Sequence, residues 1–583
     1  MGQKQGGTTM SKKLLAAMAL LAAACSPAVN DRPPLPSATP TGSDPLVASL
    51  APATATFSAI TYDGHDAVYD VKTAGPGEYL NPIRQGYYPD PSILRVGADY
   101  YLVNSSFTHF PGLPIFHSKD LVHWSQIANA IDRPGQVKFD GLEVSRGLYA
   151  PAISYHDGRY FIINTCIDCG GNFVISAKTP AGPWSDPIWL PFEGIDPSLF
   201  FDHDGKAYIV NNGMPEGEPL YQGHRAIWMQ EVDLAAGKMV GPRQVLVNGG
   251  SDIKKKPVWI EGPHQFYVKG WYYLMCAEGG TAEDHSEVVF RSRKLWGPYV
   301  PYRANPILTQ RDLYPDREFP VTSTGHAELV ETQKGEWFAV FLGTRPYEHN
   351  FFNTGRETFL LPVTWKEGWP VILKKGEHLP LVVARPKLPA ESGALRNGNF
   401  SFTETFPGDQ LGLDWLTIRT PKERWYSIDH GALTLKARAA AIGGDGNASF
   451  LALRQQHADA SLSTVLTFDP KIDSERAGLV AFQNSHAFAF FGLVREAGTT
   501  KLCVSKRVSK DEPVNGTTLV CAPATSGPVT LKIAIHRGVV SFLAGASPEA
   551  LAPVLQDADA TFLSTQKAGG FVGTVIGPYA YTP

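Results

Sequence analysis

Short apolar runs that alternate with polar residues recur along most of the chain, and few stretches carry the spacing of an amphipathic helix. Between residues 80 and 385 five segments begin in a similar way, at intervals of 60, 46, 66 and 63 residues. The openings are Asp90-Pro-Ser-Ile, Ala150-Pro-Ala-Ile, Asp196-Pro-Ser-Leu, Gly262-Pro-His-Gln and Gly325-His-Ala-Glu. A repeat of this length indicates one structural unit copied five times.

Each opening is followed by a short turn and a run rich in aromatic and β-branched residues. Gly97-Ala-Asp-Tyr-Tyr-Leu-Val and Asp157-Gly-Arg-Tyr-Phe-Ile-Ile are two examples, and this order is typical of a β-hairpin. Five four-stranded units that close into a ring leave few exposed sheet edges. We therefore predict an all-β fold with a five-bladed β-propeller over residues 79–385, in preference to an irregular pair of β-sandwiches.

The pattern changes after Pro386. Alternating runs such as Ala432-Leu-Thr-Leu-Lys and Leu531-Lys-Ile-Ala-Ile continue, but the five-fold openings do not. Short antiparallel strands of this kind predict a β-sandwich of the jelly-roll type over residues 397–583.

The first 78 residues differ from both regions. Lys12 and Lys13 precede an apolar run that ends at Cys25, so residues 1–25 are predicted to be a signal peptide. Ala22-Ala-Ala-Cys25 resembles a bacterial lipoprotein cleavage site, which leaves a lipid anchor at Cys25 and a plain cleaved signal as alternatives. We expect an exported protein, either secreted, periplasmic or attached to the outer membrane. Residues 26–78, rich in Pro, Ala and Thr, are predicted to be a linker.

Composition narrows the class of partner. The chain of 583 residues has 52 basic and 56 acidic residues, a net charge of −4, so it lacks the basic field that a nucleic acid partner requires. Aromatic residues make up 11% of the chain, and 56 Gly and 46 Pro accompany them. This balance is typical of a turn-rich β protein.

Three acidic residues stand at or beside openings of the repeats: Asp90, Asp196 and Glu261. In a propeller these openings converge at one end of the central axis, so the three carboxylates can face one cavity. Hydrolysis of a glycosidic bond needs such a set, with one carboxyl protonated to donate to the leaving oxygen and one ionised to activate water or to attack carbon. A third carboxylate raises the pKa of the acid. Prolines flank Asp90 on both sides, from which we expect an extended backbone there.

Together these motifs resemble glycoside hydrolase family 43 over residues 80–385. The motifs are Tyr88-Pro-Asp90-Pro-Ser, Phe110-Pro-Gly-Leu-Pro-Ile-Phe-His-Ser-Lys-Asp-Leu-Val-His-Trp124, Arg146-Gly-Leu-Tyr-Ala-Pro151, Gly194-Ile-Asp196-Pro-Ser-Leu, Trp259-Ile-Glu261-Gly-Pro-His264 and Gly355-Arg-Glu-Thr358. The resemblance implies that Asp90 is the general base, Glu261 the general acid and Asp196 the residue that tunes and orients the acid. It also implies inversion at the anomeric carbon, with base and acid roughly 6.5 to 9.5 Å apart.

The resemblance implies further site residues. Arg356 matches an arginine that reaches the active site, where it binds sugar hydroxyls and holds a carboxylate ionised; a structural salt bridge is the alternative. Phe107 and Tyr149 occupy the positions of aromatic pocket walls, although ordinary core packing also explains them. His326 corresponds to a histidine that bonds a hydrated Ca²⁺ on the propeller axis of many relatives, or else it is a core histidine.

The C-terminal region is similar to the concanavalin-like module of many family 43 β-xylosidases. The resemblance implies that this module walls the pocket, so that only chain ends enter, and Phe571 is the aromatic residue expected to reach in. The alternative is a module that only stabilises the propeller or binds xylan separately.

The carboxylate set and the family resemblance together imply a xylan 1,4-β-xylosidase, an inverting exo-acting enzyme that releases xylose from non-reducing ends of β-1,4-xylo-oligosaccharides or arabinoxylan fragments. No organic cofactor is implied, and a structural Ca²⁺ on the axis is the only metal expected. An α-L-arabinofuranosidase on the same scaffold is one alternative, since both sugars present similar hydroxyls. A non-catalytic xylan-binding protein is another.

Export makes disulfides an option for the cysteines. We expect a local disulfide between Cys166 and Cys169, with two free thiols as the alternative. Cys503 and Cys521 flank a predicted hairpin and are expected to form a second bond, while Cys276 lies in a strand pattern and is expected to be buried and free.

Overall fold

The computed structural model describes residues 53–393 and 395–583. The predicted signal peptide, Cys25 and the first half of the predicted linker lie outside these residues. Within the described part, no helix is both long and apolar enough to cross a membrane. Almost all regular structure there is β-strand, as predicted.

Residues 92–362 form five antiparallel sheets, which we number as blades 1 to 5. Blade 1 contains Ser92–Val96, Asp99–Val103, Gly112–Ser118 and Ser125–Ile131. Blade 2 contains Gly147–Leu148, Ala152–His156, Arg159–Ile167, Gly171–Ala177 and Ile188–Trp189. Blade 3 contains Ile195–Phe201, Ala207–Gly213, Ala226–Asp233 and Lys238–Asn248. Blade 4 contains Glu261–Val268, Trp271–Glu278, Ser286–Ser292, Val300–Pro301 and Leu308–Thr309, and blade 5 contains Thr322–Glu331, Trp337–Thr344 and Glu357–Pro362.

The five blades close into a ring, which confirms the predicted propeller. Ser92–Val96, Ala152–His156, Ile195–Phe201, Glu261–Val268 and Thr322–Glu331 are the inner strands. Each inner strand contacts the inner strand of the next blade, and that of blade 5 contacts that of blade 1. Arg84 bridges to Thr358 of blade 5, and Glu78–Leu80 pairs with Val382–Ala384. The two ends of the propeller sequence therefore meet.

The order of strands places one set of loops around the start of the inner strands. Each inner strand is joined by a short hairpin to the next strand, which runs back antiparallel to it. The loop after this second strand therefore lies at the end where the inner strand began. We call these loops the rim loops; they comprise residues 104–111, 168–170, 214–225, 279–285 and 345–356.

The rest of the chain is a sandwich of two sheets. The first sheet contains Tyr426–Asp429, Ala432–Lys436, Thr54–Gly64, Asp459–Phe468, Val529–His536, Val539–Gly545 and Ala552–Asp559, with Phe400–Glu404 also paired to Thr54–Gly64. The second contains Ser449–Phe450, Leu453–Arg454, Val575–Tyr581, Arg476–Asn484, Ala487–Glu496, Thr499–Arg507 and Thr517–Pro523. Phe57 and Leu462 of the first sheet share one buried cluster with Phe491 of the second. This packing confirms the predicted β-sandwich class.

A few small elements complete the described chain. They are the helices Val68–Val71 and Thr565–Ala568, the 3₁₀ turns Ile253–Lys255, Pro548–Ala550 and Thr561–Leu563, the hairpin Thr364–Lys366 with Trp369–Val371, and the pair His109–Phe110 with Thr417–Ile418. The last pair joins the propeller to the sandwich. A buried cluster strengthens that junction, because Tyr87 and Phe107 of the propeller pack with Phe488 and Val572 of the sandwich.

The linker predicted over residues 26–78 is wrong from residue 54 onward. Thr54–Gly64 is an interior strand that pairs with Ala432–Lys436 and with Asp459–Phe468. Its buried positions alternate, and Phe57 and Tyr62 are among them. Composition suggested a linker because threonine, serine and alanine dominate, but threonine also favours strands, and the partner strands lie hundreds of residues away. The sandwich is thus built from both sides of the propeller sequence.

The predictions for the cysteines are confirmed. Cys166 is bonded to Cys169, and Cys503 to Cys521. Cys276 is buried and free.

Candidate active site

Asp90 lies two residues before the inner strand of blade 1, and Asp196 is the second residue of the inner strand of blade 3. Both have an unusual backbone conformation. Their φ angles are 50° and 51°, so the extended backbone predicted for Asp90 is wrong. Each residue precedes a proline, which disfavours the right-handed helical region. The short polar side chain of aspartate tolerates the left-handed region better than most residues. Strain of this kind is common where a side chain must be aimed at a functional site.

The Asp90 carboxylate is buried and fully engaged. Arg356 donates from Nη1 to Oδ1 at 2.9 Å and from Nη2 to Oδ2 at 3.4 Å, and Ser105 Oγ donates to Oδ2 at 2.5 Å. Burial favours the neutral acid, but Arg356, His326 and the Ser105 hydrogen bond outweigh it and lower the pKa of Asp90. Asp90 is therefore held ionised, as a base requires.

Asp196 and Glu261 have the opposite tendency. Both are buried, and burial is the main cause that raises their pKa values. The charge of Asp90 also contributes, and the pKa of Asp196 is raised to about 7. The pKa of Glu261 is raised well above its usual range, because the charges of Asp196 and Asp90 add to burial. Glu261 is therefore the carboxyl most suited to carry a proton at neutral pH.

The three carboxylates form one electrostatic cluster. The charge of Asp90 raises the pKa of both other groups, and Arg356 lowers all three pKa values. Geometry agrees: His326 Nδ1 lies 3.7 Å from Asp90 Oδ1, and the backbone of Gly262, next to Glu261, packs against the His326 ring and donates to the Asp196 carboxylate. A pair of carboxyls with pKa values pushed apart is the arrangement that assigns one group as acid and the other as base.

Aromatic residues from three parts of the chain stand beside Arg356. The Phe571 ring centroid lies 5.9 Å from those of Phe107 and Tyr149, and Arg356 Cζ lies 5.5 Å from the Phe571 centroid. The Phe107 and Tyr149 ring centroids lie 5.3 Å apart, so the three rings form one group. The predicted residues Phe107, Tyr149, Arg356 and Phe571 are thus brought together.

The three rings differ in exposure. Phe107 is only 1% exposed because the Phe571 ring stacks on it, whereas Tyr149 and Phe571 are half-buried. Tyr149 and Phe571 therefore offer the surfaces that a sugar can reach, and Phe107 supports them from behind. The alternative of core packing applies to Phe107.

Phe571 reaches the propeller through a close backbone approach. Its N–H donates to Ser145 Oγ at 2.9 Å. The preceding Gly570 has a φ of 81°, and a Cβ at that position would lie 2.2 Å from Ser145 Oγ, so only glycine fits. The sandwich thus contributes a fixed wall to the site.

His326 lies on the inner strand of blade 5, with Nδ1 3.7 Å from Asp90 Oδ1. Burial lowers its pKa to about 4. Calcium prefers several oxygen ligands, yet within the described residues the only group of three close His, Cys, Asp or Glu ligand atoms is Glu496, Cys503 and Cys521. Two of these are disulfide-bonded. Among the described residues the side chains around His326 form no such group, and a hydrated Ca²⁺ there stays a prediction.

The chain matches two known protein families. The family described as Glycosyl hydrolases family 43 matches residues 79–370, and the Beta xylosidase C-terminal Concanavalin A-like domain matches residues 403–583. A xylosidase/arabinosidase of Butyrivibrio fibrisolvens is 38% identical over 507 residues, which cover 86% of this chain and 95% of that protein. A non-reducing end alpha-L-arabinofuranosidase of Bacteroides ovatus is 37% identical over 511 residues, covering 86% and 91%.

A solved structure extends the likeness to the fold. The crystal structure of a GH43_12 protein retrieved from a capybara gut metagenome aligns with a TM-score of 0.84 at 41% identity, covering 91% of this chain and all of that one. Sequence and fold therefore agree over both β-architectures. The chain belongs to glycosyl hydrolase family 43, and it is a glycoside hydrolase.

Proposed function

We propose that the protein is an inverting, exo-acting β-xylosidase that releases xylose from the non-reducing ends of β-1,4-xylo-oligosaccharides, including fragments of xylan and arabinoxylan. The observation that carries this proposal is the buried cluster in which Asp90 has a lowered pKa while Asp196 and Glu261 have raised ones. The similarity to the Butyrivibrio fibrisolvens xylosidase/arabinosidase supports the substrate class. Comparison of turnover on 4-nitrophenyl β-D-xylopyranoside and 4-nitrophenyl α-L-arabinofuranoside tests it.

In the proposed reaction Asp90 removes a proton from water as the water attacks the anomeric carbon. Glu261 donates its proton to the departing glycosidic oxygen, so the sugar passes through an oxocarbenium-like transition state. Asp196 raises the pKa of Glu261 and keeps it protonated until that step. Arg356 keeps Asp90 ionised until Asp90 accepts the proton from water. For this direct displacement the two reacting carboxyls must stand far enough apart to admit a water, roughly 6.5 to 9.5 Å.

An α-L-arabinofuranosidase is the second candidate. The similarity to the Bacteroides ovatus non-reducing end alpha-L-arabinofuranosidase favours it, and both sugars place similar hydroxyls before the same carboxylates. A higher kcat/KM for the arabinofuranoside than for the xylopyranoside would favour this candidate over the xylosidase. The non-catalytic alternative is disfavoured because all three carboxylates are present in one cluster.

Replacing Arg356 with methionine is expected to move the acidic limb of the kcat/KM pH profile to higher pH. Arg356 is the main group that offsets burial at Asp90, so its removal raises the pKa of the base, which must be ionised to act. Arg356→Lys retains the charge and should shift the limb less. An acidic limb at the same pH in wild type and Arg356→Met would contradict this role.

Replacing Phe571 with alanine is expected to raise KM for xylo-oligosaccharides by about fivefold and to relax selectivity for chain ends. The Phe571 ring packs against Phe107 and Tyr149, and in the proposed function it closes one side of the pocket. Product analysis on xylohexaose at early times should show xylose alone from wild type and longer products as well from the variant. Tyr426→Ala, which removes a half-buried aromatic from the sandwich core, is the control. Unchanged KM and products in Phe571→Ala would show that the sandwich is not part of the pocket.

We also propose that the protein is exported, with residues 1–25 as the signal and Cys25 as the site of a lipid anchor. The apolar run before Cys25 supports this. Radiolabelled palmitate incorporation that disappears in Cys25→Ser is the expected result, and an unlabelled, freely released protein would leave only a plain cleaved signal.

A further inference from the structure

The rim loop of blade 3 contributes an arginine beside the candidate acid. This loop covers residues 214–225 and ends at Arg225, directly before the third strand of the blade. Glu261 begins the inner strand of blade 4 at the same end of the propeller. Burial lowers the pKa of Arg225 and raises the pKa of Glu261, and the opposite charges of the two groups partly offset both shifts. Arg225 Cζ also lies over the ring of Trp259, two residues before Glu261, so Arg225 stands near the candidate acid.

A tryptophan fixes the orientation of this guanidinium. Arg225 Cζ lies 4.0 Å from the ring centroid of Trp259, which stands two residues before Glu261. Trp259 has a φ of 51°, unusual for so large a side chain. Its N–H donates to the Gly223 carbonyl at 2.9 Å, and Tyr221 Oη donates to the Pro257 carbonyl at 2.9 Å. Two segments from neighbouring blades thus hold the pair in place.

The guanidinium of Arg225 has more N–H donors than its hydrogen bond to the His224 carbonyl uses. Nη1 donates to the His224 carbonyl at 3.1 Å, and within residues 53–393 and 395–583 Arg225 forms no ion pair. Arg356, by contrast, is bound to Asp90 through two hydrogen bonds. Arg225 is also only half-buried, so solvent and ligands can reach it. An oriented guanidinium without a carboxylate partner is suited to bind neutral hydroxyl groups.

The position of Glu261 indicates which sugar of the substrate lies beside the N–H donors of Arg225. A general acid must reach the glycosidic oxygen, so the leaving sugar lies beside Glu261. In the proposed function the terminal sugar lies beside Tyr149, Phe571 and Arg356. On the basis of the proposed function, we propose that Arg225 binds hydroxyls of the leaving-group sugar and that Trp259 is a positioning residue that holds its guanidinium.

The test compares two substrates that share the terminal sugar. Xylobiose carries a leaving sugar, whereas β-D-xylopyranosyl fluoride carries none. Arg225→Met is expected to lower kcat/KM for xylobiose about tenfold, mainly through KM, because a charge-assisted hydrogen bond is lost. The kcat/KM for the fluoride should remain within about twofold of wild type. The kcat/KM of Trp259→Phe for xylobiose should lie between the values for wild type and Arg225→Met.

Two controls separate binding from other effects. Arg293 Cζ lies 3.7 Å from the Trp271 ring at the opposite end of the propeller, so Arg293→Met removes a similar pair and should leave both substrates unaffected. Removal of the Arg225 charge also raises the pKa of Glu261, which moves the alkaline limb of the pH profile to higher pH. A higher pKa keeps more of Glu261 protonated at neutral pH. The shift therefore cannot explain a lower kcat/KM for xylobiose.

Equal losses on both substrates, or an unchanged kcat/KM for xylobiose in Arg225→Met, would overturn the inference. If the methionine variant fails to fold, Arg225→Lys replaces it in the test. Its kcat/KM for xylobiose should be several-fold lower than that of wild type, because a single ammonium replaces the planar guanidinium. A wild-type enzyme that hydrolyses neither xyloside would instead overturn the proposed function, and the inference with it.

Discussion

Replacing Asp90 with alanine is expected to lower kcat/KM on every substrate by about 10³-fold or more. Its carboxylate is held ionised by Arg356 and Ser105, and in the proposed mechanism it alone activates the water. The base is needed whatever the leaving group, whereas the acid is not. The loss of kcat/KM should therefore be similar for aryl xylosides and for xylobiose. Initial rates on both substrate types, measured over a range of pH, check this result.

The alanine variant also leaves the Arg356 charge buried without its partner, which costs about 3 kcal/mol of stability. Asp90→Asn keeps the size of the side chain and is the matched control, since it should lose as much activity and less stability. Thermal unfolding separates the two effects. Added formate or azide can occupy the space that Asp90→Ala leaves, and it should restore part of the turnover of that variant. Asp90→Asn leaves no such space, so its turnover should not recover. Activity near the wild-type level in folded Asp90→Ala would remove Asp90 as the base.

Replacing Glu261 with glutamine is expected to lower kcat/KM for xylobiose by about 10³-fold while aryl xylosides with good leaving groups lose far less. Glutamine cannot donate the proton that a sugar leaving group needs, whereas a nitrophenolate departs without one. The alkaline limb of the pH profile should also disappear, because that limb reports deprotonation of the acid. A series of aryl xylosides with different leaving-group pKa values measures the difference.

Blade 4 offers a matched control for this variant. Glu287 is likewise buried, and its Oε2 accepts a hydrogen bond from the Ala327 N–H at 2.9 Å. Burial raises its pKa as well, but Asp90 and Asp196 are not among the causes. Glu287→Gln should keep the leaving-group dependence of wild type. Losses of equal size on xylobiose and on activated aryl xylosides in Glu261→Gln would argue against its role as the acid.

The sequence predicts the propeller well because its evidence is local and repeated. Each inner strand begins with a short motif and is followed by a turn and an aromatic run, so five weak signals support one another. Thr54–Gly64 has no such support. Its partners are strands near residues 432 and 459, and nothing local indicates that it completes a sheet so far along the chain.

In the candidate site, too, residues within sequence motifs could be predicted and residues outside such motifs could not. Asp90, Asp196 and Glu261 stand in motifs at the starts of inner strands, so the topology alone brings them together. Ser105 and Arg225 were not predicted, because both lie in rim loops where the sequence shows no motif. Their only signal is position, directly after a second strand or before a third. The left-handed backbone of Asp90 could not be predicted, because a residue before proline is also suited to an extended conformation.

The most direct test of the account is the anomeric form of the first product. Proton NMR, recorded within minutes of adding enzyme to xylohexaose and before mutarotation, resolves α-xylose from β-xylose. A cluster in which Asp90 activates water while Glu261 protonates the leaving oxygen predicts that α-xylose appears first, released one unit at a time. Initial release of β-xylose would contradict the account, because it would require a covalent intermediate on one of these carboxylates.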